Sequence, residues 1–275
     1  MTEATQPHQG KTSQGLPLVR LDGVTKEFLA RRAGAPAFTA LRAVTADFHH
    51  GEIVSIVGPS GCGKSTMLSL IAGLEMPTTG TLSIDGHAVV EPYERTGVVF
   101  QKDLLLSWRT ALDNVLLQAE VRGLDRRKFV ERANELLTLV GLKGFERFYP
   151  HELSGGMRQR VSICRALLHN PALLLMDEPF AALDAITRDQ LALDFQRFVQ
   201  TEPRTVIFIT HNMDEAVFLG DRVMVMTARP GYIADVIEID LPRPRHLNVR
   251  NSPEFIRYTG RVRDLFMRHG ILQDH

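Results

Sequence analysis

Four short runs in this 275-residue chain are apolar at nearly every position: "EIVSIV" (52–57), "GVVF" (97–100), "ALLLM" (172–176) and "TVIFIT" (205–210). A strand with one wet face alternates apolar and polar residues, whereas a strand covered on both faces does not. The runs therefore predict a buried parallel sheet covered by helices, which is an α/β fold. "VRLDGV" and "GTLSIDG" alternate more and predict an antiparallel patch near the N-terminus.

Between about 103 and 165 such runs stop. Phe129, Ala133, Leu136, Leu137 and Val140 recur there at helical spacing, with Asp125 to cap and Gly141 to stop the helix. An all-helical subdomain over 102–165 is expected inside a core made of 16–101 and 166–245. The proline-punctuated "DLPRPRH" then leads into a short C-terminal extension, 246–275, with a helix predicted from about 253 to 268. The first fifteen residues are polar, lack the apolar stretch of a secretion signal and read as a disordered tail. No run of eighteen apolar residues occurs, so no membrane span is expected. A net charge of zero gives no field to attract nucleic acid. Cys62 and Cys164 fit no metal or disulfide framework, which suits a reducing compartment.

The run at 52–57 leads straight into Gly58-Pro59-Ser60-Gly61-Cys62-Gly63-Lys64-Ser65-Thr66, the spacing of a phosphate-binding loop between a strand and a helix. Its glycines let main-chain N–H groups converge on phosphate oxygens. Lys64 is expected to neutralise the β- and γ-phosphates, and the Ser65 hydroxyl to ligate Mg²⁺. Met67, Leu68, Ile71 and Leu74 form the expected buried face of the following helix. Asp177 leaves the end of "ALLLM", where a carboxylate can hold Mg²⁺. Glu178, on the other face by strand alternation, is set to polarise a water. Gln101 and His211 end two other strands. "HELSGGMRQR" (151–160) reads as a second anion site: Ser154 caps a helix whose Met157, Val161, Cys164 and Leu168 pack inward.

Taken in order, Gly58–Thr66, Gln101, Leu153-Ser154-Gly155-Gly156, Asp177-Glu178, Ala182-Leu183-Asp184 and His211 closely resemble the motifs of the ATP-binding cassette ATPases, over residues 18–240. The resemblance implies a P-loop NTPase core of the RecA-like kind that binds and hydrolyses ATP with Mg²⁺. It makes Ser65, Gln101 and Asp177 the metal residues and Glu178, His211 and Gln101 the catalytic ones. It also implies that two copies meet head to tail. Ser154, Gly155 and Gly156 of one copy, with Asp184, then complete the ATP site of the other. The adenine-stacking aromatic is Phe28 or, displaced by a loop, Phe38.

Longer stretches, "YPHELSGGMRQRVSICRALLHNPALLLMDEPFAALDAITR" and "ARPGYIADVIEIDLPRPR" among them, resemble the ATPases of nitrate/sulfonate/taurine-type importers and their relatives for pyrimidine-like solutes. That resemblance implies an integral membrane permease as partner, a solute-binding protein as indirect partner, and a peripheral position at the cytoplasmic face of the inner membrane. Exporter ATPases and cassette proteins of DNA repair or translation are the alternatives. Trp108, in "LLLSWRT", has two readings: filler of the helical core, or anchor in a groove receiving a permease helix.

Overall fold

A computed structural model describes residues 15–29, 37–181, 183–227 and 229–272 of the chain. The tail expected over 1–15 lies outside these residues except for Gly15, as does Ala182.

The N-terminal half contains β1 (Val19–Phe28), β2 (Phe38–Phe48), β3 (Ile53–Val57), α1 (Lys64–Ile71), β4 (Thr79–Ile84), β5 (His87–Ala88) and β6 (Thr96–Val99). The helices α2 (Ala111–Val121), α3 (Val130–Leu139) and α4 (Gly155–Leu167) follow without an intervening strand. The chain then runs through β7 (Leu173–Asp177), α5 (Ala185–Thr201), β8 (Thr205–Thr210), α6 (Met213–Leu219), β9 (Arg222–Met226), β10 (Ile233–Glu238) and α7 (Pro253–Arg268).

The strands make two sheets. The larger has the order β10-β9-β3-β8-β7-β6, parallel except for β10, and the four apolar runs supply its centre and one edge. The smaller is antiparallel, in the order β2-β1-β4-β5. Alternate residues of each parallel strand enter different cores, which is why the runs are apolar throughout. Val54, Ile56, Leu173, Leu175, Ile207 and Ile209 pack against α1 and the antiparallel sheet. Ile53, Val57, Leu174, Met176, Val206 and Phe208 join the core that carries the helices.

Local signals set the helix ends. Asp125 caps a short 3-10 turn ahead of α3 by accepting from Arg127 N, and Gly141 takes a left-handed φ of +74° just beyond it. Thr110, Ser154, Asp184, Asn212 and Ser252 cap α2, α4, α5, α6 and α7 with side-chain oxygens. Leu74 departs from expectation. Helix α1 stops at Ile71, so Leu74 falls beyond its buried face and is 54% exposed.

The C-terminal extension is fastened by Arg245, which is fully buried and, among the described residues, makes no ion pair with a carboxylate. Its guanidinium donates to the carbonyls of Val217, Phe218 and Gly220 at the end of α6, and to those of Ile239 and Leu241. It thereby satisfies the orphan acceptors of a helix C-terminus. Burial, with Arg243 nearby, pulls Arg245 down to about 9.

Candidate functional site

The loop between β3 and α1 is tight because Gly63, at φ +103°, precedes the helix in a conformation that a side chain resists. A Cβ there would also lie 2.6 Å from Leu41. Lys64 is buried, and its Nζ donates to the carbonyls of Gly58 and Pro59 at 2.9 and 3.0 Å. Ser60, Gly61 and Ser65 are exposed, so the loop presents an open rim to solvent. Cys62 is buried beneath it, its Sγ 3.9 Å from Lys64 Nζ, and burial pushes its thiol up. A thiol held neutral is a packing group rather than a nucleophile.

The end of β7 meets this loop. Partial burial pushes the Asp177 carboxyl up, the Ser65 hydroxyl beside it pulls the other way, and neighbouring Glu178 raises it further. Two carboxylates next to a buried lysine and an exposed hydroxyl form a donor set for a hard, oxygen-seeking cation. Such a cation would offset the cost of keeping Asp177 ionised. The residues present therefore fit a magnesium-bound triphosphate.

Glu178 does not obtain its direction from strand alternation, as the sequence suggests. The strand ends at Asp177, and Glu178 takes a left-handed φ of +47°, unusual for a residue with a Cβ. Its N–H is held by the carbonyl of Ile209 at 2.9 Å on β8. That turn aims the carboxylate at two other strand ends. Gln101 Nε2 donates to Glu178 Oε2 at 3.2 Å, and His211 Nδ1 lies 3.2 Å from the same oxygen. Three residues 77 and 33 positions apart are thus gathered at one carboxylate oxygen. Gln101 is turned to Glu178 here rather than to the Ser65–Asp177 pair.

The second anion device stands on different supports. Helix α1 backs onto β2, β7 and β8, whereas α4 packs on α2, α3 and β6. Among the described residues no hydrogen bond links Ser154–Gly156 to Gly58–Thr66. Ser154 is exposed, and its Oγ accepts from Met157 N at 3.3 Å. Gly156 sits against Leu183, where a Cβ would come within 2.9 Å. Asp184 is exposed beside it, its carboxyl held below the usual range by hydrogen bonds from Thr187.

Phe28 and Phe38 are opposite each other at the ends of β1 and β2. Lys26 lies over the Phe28 ring and Arg229 over the Phe38 ring, at 4.9 and 5.1 Å. Arg229 is a residue that the motif spacing does not reveal. Its Nε donates to the Gly61 carbonyl at 2.8 Å, and a Cβ on Gly61 would strike the guanidinium at 2.5 Å. Only "ARPG" after the last parallel strand marks it in the sequence.

Trp108 does not fill the helical core, for it is 71% exposed. Buried Asn114 fixes its loop by bonding the backbone of Leu106, Arg109 and Thr110. Arg165 holds the carbonyls of Asp103 and Leu104, and Arg158 the Asp103 carboxylate at 2.8 Å. The segment after Gln101 is therefore tied to the helix that Ser154 caps.

A family model described as ABC transporter matches residues 41–181. An ABC transporter ATP-binding protein of Methanocaldococcus jannaschii is 48% identical over 81% of this chain and 82% of its own. The aliphatic sulfonates import ATP-binding protein SsuB of Bacillus cereus is 40% identical over 93% of this chain and 98% of its own. A solved dimeric ATP-binding cassette in a post-hydrolysis state, bound to ADP and phosphate, superposes with a TM-score of 0.71 at 33% identity. That match covers 82% of this chain and all of the other. The chain therefore belongs to the ATP-binding proteins of the ABC transporter family.

Proposed function

We propose that this ATPase drives uptake of a small solute, of the nitrate, sulfonate or taurine kind, through a membrane permease fed by a solute-binding protein. Similar import ATP-binding proteins are named for aliphatic sulfonates, taurine and nitrate, at 40, 44 and 43% identity. The chain works at the cytoplasmic face of the membrane. No helix among the described residues is long and apolar enough to cross one.

In this reading the N–H groups of Gly61–Ser65 and the Lys64 ammonium bind the phosphates. Ser65 and Asp177, joined by Gln101 through its amide oxygen while its amide N–H stays on Glu178, would hold Mg²⁺, which would neutralise charge on the phosphates. Adenine rests against the Phe28–Phe38 pair. Glu178 takes a proton from water as its oxygen bonds to the γ-phosphorus and the bond to the β-phosphate oxygen breaks, releasing ADP. His211 and Gln101 hold the Glu178 carboxylate in line. Ser154, Gly155 and Gly156 of a second copy, with its Asp184, close the site from the far side. Ile186, 83% exposed next to Asp184, is an apolar residue that such a partner would cover.

The observation that carries the proposal is the meeting of Gln101 and His211 on Glu178, next to the Ser65–Asp177 pair. The test is phosphate release by the chain reconstituted with its permease in proteoliposomes. Release should rise when solute-binding protein loaded with taurine, an alkanesulfonate or nitrate is added, and Glu178→Gln should abolish it. ATP hydrolysis indifferent to every loaded binding protein would reject the importer reading.

A further inference from the structure

Behind Glu178 and His211 lies a buried carboxylate that the chemistry above leaves without a task. Glu215, on α6, is 7% exposed. Its Oε2 accepts from the Thr210 hydroxyl at 2.7 Å, and that hydroxyl accepts from Asn212 N at 3.0 Å. The residues on either side of His211 are therefore pinned by one hydroxyl, itself fixed by Glu215. The other Glu215 oxygen lies 3.4 Å from Arg188 Nε on α5. Arg188 also donates through Nη2 to the Leu183 carbonyl at 3.0 Å. A continuous path thus runs from the loop of buried Leu183 and exposed Asp184 through Arg188 and Glu215 to the backbone flanking His211.

We propose that Arg188 and Glu215 are positioning residues that make the aim of His211 depend on the seating of the Leu183–Asp184 loop. This rests on the reading that a second copy faces that loop. Two features favour a charge-paired link, made without a hydrogen bond at Arg188 Nε, over simple packing. A cavity of about 20 Å³, near the size of one water, is lined by Glu178, Arg188, His211 and Glu215, so side chains leave part of the space among them unfilled. The Glu215 side chain is 8% exposed and that of Arg188 29%, so displacing Arg188 leaves a buried carboxylate poorly compensated. The C-terminal segment clamps the same two helices alongside. Arg250 pairs with Asp189 at 2.8 Å on α5 and covers the Phe218 ring at 4.8 Å on α6.

The consequence is a separation of roles. The phosphate loop that binds ATP is untouched by the link, whereas hydrolysis needs His211 in place. Arg188→Met and Glu215→Gln should each lower kcat by roughly ten- to a hundredfold, the scale of a small misplacement in an active site. KM for ATP should stay within about threefold, and Arg188→Lys should recover part of the loss. Turnover is measured against subunit concentration. The plateau, where pairing is complete, should fall. The double variant should be no worse than the poorer single one, because both changes cut one path. Overturning results are losses that multiply in the double variant, or kcat within threefold of the parent. Wild-type turnover measured alongside separates the two failures, since a wild-type chain without ATPase would sink the functional reading itself.

Discussion

Replacing Trp108 with alanine should cost the complex far more than it costs the fold. The side chain is 71% exposed, which leaves about 180 Å² of the ~250 Å² that a tryptophan can bury. At about 25 cal/mol/Å², covering that area with a partner helix is worth up to about 4.5 kcal/mol. Ordering the side chain returns roughly 1 kcal/mol of that. The loop is already fixed by Asn114, so backbone ordering subtracts little. A net loss near 3 kcal/mol corresponds to a Kd for the permease about a hundredfold weaker. Folding stability should fall by about 1 kcal/mol or less, a shift of about 2–4 °C in Tm. Co-purification with the permease and a melting curve on the same preparations make the comparison. Normal assembly with a markedly lower Tm would refute the docking role. Loss of basal ATPase in the isolated chain would refute it equally, because Trp108 touches none of the phosphate groups.

Lys64→Ala should weaken ATP binding roughly ten- to a hundredfold, since charged hydrogen bonds contribute about 1.5–3 kcal/mol; calorimetry with ATP checks this. Arg245→Met should strand the α6 carbonyls that it caps. A loss of about 3 kcal/mol, or about 6–12 °C in Tm, should follow with ATP affinity intact below the transition. His169 is pulled by burial, and by Arg122 beside it, from 6.5 down to about 4. It is therefore neutral in the fold, while the unfolded chain takes up a proton. Its contribution is full above pH 6.5 and is lost as pH falls from there toward 4. Urea midpoints at pH 7.5 and pH 5 should thus differ more for wild type than for His169→Gln.

Local patterns carried much of the architecture. Strands β3, β7 and β8 were legible because burial on both faces favours apolar residues at almost every position. The helix α7 was legible from Ser252 and Pro253 at its start. What stayed hidden depends on distant partners. The left-handed turn at Glu178 is set by a carbonyl on β8, and no neighbouring residue announces it. Leu74 looked buried only because the helical period was carried past the end of α1. Arg188, Arg229 and Arg245 look like ordinary surface charges in the sequence. Each gains its role from carbonyls or carboxylates contributed by another part of the chain. Trp108 could be read either way, because residue type alone cannot say whether an apolar ring faces a core or a partner.

The central claim is that one chain carries two half-sites, and that ATP is held between copies. Glu178→Gln keeps the size of the side chain and removes the base, so bound ATP should persist and hold the pair together. Light scattering of this variant with ATP but no Mg²⁺ should move from the 30.8 kDa of one chain to about twice that mass, and return when ATP is removed. A variant that binds ATP yet stays at the mass of one chain would contradict the head-to-tail site.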